Sequence, residues 1–255
     1  MTPSRVLVFI PTYNEAGNVC EMVDRLRALD LGLDILFIDD ASPDGTGLII
    51  DRLAVEDPSV VVMHRSCRKG VGSAHAEGIA VAYDKGYAVL ITMDGDFTHP
   101  PGAVPALVKA AEDGDVVVGS RFAADDGFDG WSRWRKMLSL AGHWATGRLL
   151  GLSCDATGAF RAYRLDRIPR SLFERVRSPG YAFFFESLFV LAQNDVAIQE
   201  IPVRTERRRY GRSKMGFCDM TASLATVIRL SGKARWPRWP FQSAAAGCER
   251  ADDDR

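Results

Sequence analysis

The sequence predicts an α/β fold built on a mainly parallel sheet flanked by helices, doubly wound over residues 1 to about 120. Three observations predict it. Short β-rich apolar runs alternate with helical segments, the order that parallel strands joined by crossover helices require. Polar and acidic residues follow the strand candidates directly, where open α/β sheets bind their ligands. With 255 residues, 47% hydrophobic and 25% charged, the chain is long enough to bury one substantial core.

In order, strands are expected over residues 6–10, 35–38, 60–63, 88–92 and 116–118. Helices fall between them over 18–29, 46–54, 72–84 and 104–112, the last opened by Pro100 and Pro101. After Arg121 the pattern changes to a Gly/Asp loop, a long apolar helix over 134–150, a helix over 181–193, a strand over 197–203 and a basic loop. No internal repeat is present. One domain over 1–232 is expected, followed by a basic, Trp-containing segment and a disordered polar tail over 233–255.

The net charge of -1 excludes a surface committed as a whole to nucleic acid, but between Arg204 and Arg238 ten Lys/Arg face two acids, Glu206 and Asp219. That excess predicts an anionic partner for the segment. It lacks interleaved aromatics at useful density, so nucleic acid is not the expected one. Five cysteines without a CxxC pair give neither a disulfide framework nor a zinc knuckle, and a reducing cytoplasmic setting fits them. No stretch approaches the roughly 18–20 apolar residues that span a bilayer, so a soluble or peripheral chain is expected.

The chemistry is sought after the strands. Asp94 and Asp96, one residue apart at a strand end, suit a hard divalent ion bridging the two phosphates of a nucleotide sugar. A lone DxD is a solvated turn in most proteins; the parallel-strand context and a second acidic pair favour the metal reading here. In Asp39-Asp40-Ala41-Ser42-Pro43-Asp44-Gly45-Thr46 the later residues suit a helix-capping turn. Asp40 is the candidate for a base or ribose, and Asp39 for holding the loop. The glycines of Arg68-Lys69-Gly70-Val71-Gly72-Ser73-Ala74 suit either a tight turn into the next helix or a phosphate cradle, without the spacing of a known nucleotide fingerprint.

Arg204, Arg207, Arg208, Arg209, Arg212 and Lys214 suit a cationic loop closing over a diphosphate, although charge runs are commonly solvated surface. The stripe Leu138, Ala141, Ala145, Leu149 and Leu152 fits core packing as well as membrane contact. Neighbouring Trp131, Arg133, Trp134, Arg135 and Lys136, with Lys233, Arg235, Trp236, Arg238 and Trp239, favour the head-group zone of an anionic membrane. No Ser/His/Asp elbow is present.

Together these motifs resemble the polyprenyl-phosphate (dolichol-phosphate) mannosyltransferases, the family 2 glycosyltransferases of GT-A fold. The resemblance covers roughly residues 5–232 and rests on PTYNE at 11–15, DDASPDGT at 39–46, RKGVGSA at 68–74, DGDFTHPP at 94–101, GSRF at 119–122, Arg135 to Ser139, DATGAFRAY at 155–163 and RRYGRSKM at 208–215. It implies a nucleoside site at Pro11, Tyr13, Glu15, Ile38 and Asp40, and metal and sugar diphosphate at Asp94, Gly95 and Asp96. Arg121, Arg208 and Lys214 would bind phosphates, and Arg121, Arg135 and Ser139 the acceptor phosphate. Arg208 rather than Arg209 follows from counting back six from Lys214. Gly95, Thr98, Gly142-His143 and Gly158-Ala159 depart from the usual pattern, which touches donor identity and the metal's third ligand.

What the resemblance implies is inverting transfer of mannose from GDP-mannose to a polyprenyl monophosphate with Mg²⁺ or Mn²⁺, by a peripheral protein on the cytosolic face of a membrane. Asp96, Arg121 and Arg135 are then the catalytic residues. Such a protein is compatible with a membrane-anchoring partner. Two alternatives are a family 2 enzyme using UDP-glucose or another donor or acceptor, and a non-catalytic nucleotide-binding subunit.

Overall fold

Seven strands form one sheet in the order β3-β2-β1-β4-β6-β5-β7 in the computed structural model of the chain, which describes residues 5–125, 127–128, 131–206, 208–209 and 216–233. They are β1 Val6–Thr12, β2 Asp34–Asp39, β3 Val60–His64, β4 Val89–Thr92, β5 Val116–Ser120, β6 Arg161–Arg164 and β7 Ile198–Pro202. Neighbours run parallel except at β6, which is antiparallel to both β4 and β5. The helices are α1 Val19–Arg27, α2 Thr46–Glu56, α3 Val71–Asp84, α4 Val104–Ala110, α5 Arg133–Leu150, the single turn α6 Arg170–Phe173, α7 Phe183–Ala192 and α8 Phe217–Ser231. A 3₁₀ turn at Pro101–Ala103 leads into α4.

Period-two alternation along the strands builds two cores. Leu7, Phe9, Leu36, Ile38 and Leu90 face one layer with α3, α7 and the end of α5. Val8, Ile10, Ile35, Phe37 and Ile91 face the other with α1, α2 and α4. Both faces are covered, so the strands read as continuous apolar runs. Because β1 pairs with β2 on one side and β4 on the other, the chain leaves β1 and β4 on opposite sides of a crevice at their carboxyl ends.

Besides the single turn α6, the sequence reading missed two elements. β6, RAYR, is short and has arginine at both ends, which disguises a strand; Arg161 is nevertheless fully buried. Its Nη groups donate to the carbonyls of Ala156 at 3.0 Å and Phe184 at 2.8 Å and to the hydroxyls of Tyr163 and Ser187 at 3.2 Å, while Nε has no partner among the described residues. α8 follows the basic segment and is tied to α7 through Arg229 and Glu186 at 2.8 Å.

α5 starts where Ser132 Oγ accepts the Arg135 N–H at 3.3 Å and ends at Gly151, whose φ of 72° closes a left-handed cap. Over 18 residues it buries only Thr146 and Leu150. Trp134, Met137, Leu140, Trp144 and Leu149 are exposed, as are Phe217, Leu224 and Ile228 on α8, which packs beside it. The helix is therefore a surface element rather than core. Among the described residues no helix is long and apolar enough to cross a membrane. Lys214, Arg207, Arg212, Trp236, Trp239 and the polar tail lie outside the described residues.

Candidate active site

The first wall of the crevice is the end of β1 and β2. Asp39 accepts from Thr12 Oγ1 at 3.0 Å, from Ser42 Oγ at 2.5 Å and from the Ser42 N–H at 3.0 Å, so it holds the loop as expected. Asp44 caps the start of α2 by accepting from the Thr46 N–H and hydroxyl, and it also takes the Ala16 N–H at 3.1 Å. Glu15 is buried beside Asn18, whose amide donates to it at 2.6 Å. Tyr13 carries the Arg68 guanidinium over its ring at 4.6 Å. Pro11 pairs with Ile38 in the sheet, and the Ile38 side chain is fully buried in the core, so it supports the site from behind.

Asp40 has a partner that the sequence reading overlooked. Arg65, nearly buried after β3, donates to Asp40 at 2.9 Å, to Glu77 at 2.7 Å and to Ser73 Oγ at 2.7 Å. The N–H groups of Lys69 and Gly70 also lie 3.2–3.3 Å from the Asp40 carboxylate. Asp40 thus organises the Arg68–Gly70 turn. The signal was available: residues 65–67, directly after β3, went unread although the turn at 68–74 was considered.

The glycines of that turn answer to packing. A Cβ on Gly72 would stand 2.5 Å from the Gly180 carbonyl oxygen and 2.6 Å from Phe183 Cβ. Gly70 has φ +96° and would meet the Pro179 carbonyl oxygen at 2.8 Å. The turn and the 178–180 loop approach backbone to backbone, which accounts for both glycines without a phosphate.

The opposite wall is the end of β4. The Asp94 N–H donates to His99 Nδ1 at 2.9 Å, which sets the Nε2–H tautomer, and the His99 ring stacks on Phe160 at 5.1 Å. Asp96 is buried; its Oδ1 accepts from the Thr98 N–H at 3.0 Å and hydroxyl at 2.6 Å, and its Oδ2 lies 2.7 Å from Arg208 Nη2. Phe97 is fully buried at φ +66°, a left-handed strain for a non-glycine residue, with the guanidinium groups of Arg25 and Arg209 5.0 and 4.9 Å from its ring centroid. Arg209 extends to Glu21 at 2.5 Å, away from the carboxylates. Arg208 is therefore the arginine of the pair that reaches the site. Gly95 has room: a Cβ there would meet Ile10 Cγ2 at 3.3 Å.

Three arginines gather opposite the two aspartates. Asp155, itself buried, grips Arg121 from Nε at 3.0 Å and Nη2 at 3.0 Å, and Thr157 Oγ1 takes a further bond from Nη2. Among the described residues Arg121 Nη1 has no hydrogen-bond partner. Arg135 lies over the Trp131 ring at 3.8 Å, and Arg121 lies 5.2 Å from the same ring. Partial removal from water, then the charges of Arg208 and Arg121, lower the Arg135 pKa against the pull of Asp96 and Asp94. All five charges therefore share one site. Ser139 Oγ, one turn along α5 from Arg135, is shielded from water with no partner among the described residues.

Tyr181 was also missed. Burial, then the negative charges of Asp94 and Asp219, push its phenol up to about 12, so its hydroxyl stays neutral within the field of Asp94. Nothing in its local sequence marks it; only the fold brings 181 to β4.

Among the described residues no three His, Cys, Asp or Glu side chains form a metal cage. Asp94 and Asp96 offer an all-oxygen pair, which fits a hard divalent cation that completes its shell with diphosphate oxygens and water.

Comparison with known proteins gives the same picture. Residues 7–189 match the model of "Glycosyl transferase family 2". The chain is 39% identical over 233 residues to the undecaprenyl-phosphate mannosyltransferase of Micrococcus luteus, covering 91% of this chain and 96% of that protein. It is 34% identical over 237 residues to the polyprenol monophosphomannose synthase of Mycolicibacterium smegmatis, covering 92% and 89%. Among solved structures it is similar to glucosyl-3-phosphoglycerate synthase from Mycobacterium tuberculosis in complex with Mn²⁺, UDP and phosphoglyceric acid, at a TM-score of 0.64 and 20% identity over 90% of this chain and 78% of that one. A mannosyltransferase from Pyrobaculum calidifontis in complex with GDP-Man and Mn²⁺ matches at a TM-score of 0.56 and 20% identity over 88% and 64%. These neighbours share the GT-A fold that the motifs predicted. A mixed, mostly parallel sheet with a DxD at its switch point, matched by the family model over residues 7–189, makes the chain a member of glycosyl transferase family 2.

Proposed function

We propose that this chain transfers mannose from GDP-mannose to a polyprenyl monophosphate, with inversion, while resting on the cytosolic surface of a membrane, and that residues 1–232 form the catalytic domain. The observation that carries this reading is on α5. Its first turns hold Arg135 and Ser139, beside the aspartates and Arg121, while the same helix exposes Trp134, Met137, Leu140 and Trp144. A single helix thus offers cations to a phosphate and an apolar face to a lipid, the two halves of a polyprenyl phosphate. The mannosyl relatives support the sugar and the acceptor class.

An acceptor phosphate with a second pKa near 6 is largely ionised at neutral pH, so its oxygen attacks the anomeric carbon with little need of a base. The protein's work is alignment and charge stabilisation. Arg121, through its Nη1 edge, and Arg135 orient the acceptor phosphate, with Ser139 as hydrogen-bond donor. Arg208 and Lys214 neutralise the departing diphosphate. Asp40, Glu15, Tyr13 and Pro11 line the nucleoside end. A divalent ion, Mg²⁺ or Mn²⁺, held by Asp94 and Asp96 would supply further neutralisation of the diphosphate leaving group.

The test is transfer of radiolabelled mannose from GDP-mannose to a short polyprenyl phosphate in detergent, with Mn²⁺ or EDTA, for the natural chain and Asp96→Ala. Product that needs both metal and Asp96 is expected. Product from UDP-glucose instead, or GDP binding without any transfer, would overturn the reading.

A further inference from the structure

β7 carries one carboxyl that the reaction above does not use. Glu200 pairs with Val118 in the sheet, so its side chain lies under the rim where β5 ends. It accepts the Asp155 N–H at 2.6 Å and a hydrogen bond from the Ser120 hydroxyl. Ser120 Oγ in turn accepts the N–H groups of Phe122 at 3.2 Å and Ala123 at 3.3 Å. Arg121 therefore sits in a turn fastened by Ser120, and its guanidinium is gripped by Asp155. Glu200 holds both fasteners.

The third segment of the acceptor site is also in its reach. Gly142 brings α5 against the loop, where a Cβ would stand 3.7 Å from Thr157 Cγ2. The His143 ring stacks on Phe122 at 4.1 Å, the residue after Arg121. Burial and the charge of Asp155 raise the Glu200 pKa, and the hydrogen bonds from Asp155 and Ser120 oppose them. This half-buried acid therefore joins β5 to the 155–158 loop through Ser120 and Asp155.

We propose that Glu200 is a positioning residue for the acceptor phosphate, acting on Arg121 through Ser120 and Asp155. This rests on the reading of Arg121 as a phosphate-binding residue. It differs from a purely structural role in one respect: losing Glu200 weakens binding of the acceptor phosphate and leaves the nucleotide end, on the other side of β1, undisturbed.

The experiment measures binding of farnesyl phosphate and of GDP by calorimetry, with transfer kinetics alongside, for the natural chain, Glu200→Gln, Glu200→Asp, Arg121→Lys and the Glu200→Gln/Arg121→Lys double variant. Glu200→Gln is expected to weaken farnesyl phosphate about fivefold, the loss of one hydrogen bond, with GDP affinity and melting temperature unmoved. Glu200→Asp is expected to recover part of the loss. The double variant is expected to bind farnesyl phosphate no more weakly than Arg121→Lys alone, because both changes act on one group. Additive losses, equal loss of GDP and farnesyl phosphate, or unchanged affinity in Glu200→Gln would each overturn the role of Glu200. Farnesyl-phosphate binding by the natural chain without mannose transfer would overturn the donor reading and leave Glu200's role standing.

Discussion

Arg208 Nη2 stands 2.7 Å from Asp96 Oδ2, on the one oxygen that Thr98 leaves to it. A divalent cation drawn to the same carboxylate competes with the guanidinium for that oxygen. Arg208→Ala is therefore expected to bind Mn²⁺ alone several-fold more tightly, while binding GDP with Mn²⁺ about tenfold more weakly. Electron paramagnetic resonance titration of free Mn²⁺ checks the first arm and calorimetry the second. A loss of Mn²⁺ affinity without nucleotide would show that the pair does not compete.

Two glycines of the site loops should behave oppositely. Gly72→Ala puts a Cβ 2.5 Å from the Gly180 carbonyl oxygen, and backbone cannot yield cheaply there. A loss of about 1–3 kcal/mol is expected. At Gly95 the nearest atom is Ile10 Cγ2 at 3.3 Å, the end of a side chain, and Gly95→Ala should cost under about 1 kcal/mol. Urea unfolding of the two variants beside the natural chain measures both.

His75 gives the fold an acid-sensitive point. Burial among Phe9, Phe183 and Phe184 holds its imidazole down at about 3, with the Arg161 charge in the same direction. The unfolded chain protonates its histidine near 6.5 and the native one refuses, so the contribution is complete above 6.5 and is lost as pH falls toward 3. The slope is about 1.4 kcal/mol per pH unit within that window. His75→Leu should be less sensitive to acid, with a smaller drop in the urea midpoint between pH 7 and 5 than the natural chain shows. Parallel curves for the two would locate the acid sensitivity elsewhere.

The membrane contact proposed for α5 predicts a separation of functions. Trp134→Ser with Trp144→Ser removes two exposed rings that no described core residue needs. Flotation with anionic liposomes should fall severalfold, while transfer to a short, detergent-soluble acceptor stays within about twofold. Equal flotation of variant and natural chain would move the contact away from this helix.

The first half of the chain was legible because its strands are buried on both faces and end in side chains with few other uses. Val6 to Ile10 and the Asp94-Gly95-Asp96 turn could be placed from sequence for that reason. Arg65, Tyr181 and Glu200 were not legible, because each acts on a residue at least 25 positions away. β6 was hidden by Arg161, a cation whose burial draws on a carbonyl and a hydroxyl of α7, more than twenty residues on, as well as on nearby Ala156 and Tyr163. Whether α5 was core or surface could not be read from its stripe, since a lipid face and a protein face have the same composition. In sequence only the spacing from Lys214 separated Arg208 from Arg209; in the fold Glu21 and Phe97 draw Arg209 away.

The reversed strand β6 decides which piece of chain meets Arg121. Parallel strands deliver only their outgoing ends to the rim, and an all-parallel sheet would collect nothing there but departures. β6 runs the other way, so the rim receives its incoming chain, residues 155–160, and with it Asp155. Were β6 turned around, the same carboxylate would lie on the far edge, about 13 Å away for four residues of strand. Direction of travel, as much as the choice of amino acid, is what gives the arginine its counter-ion.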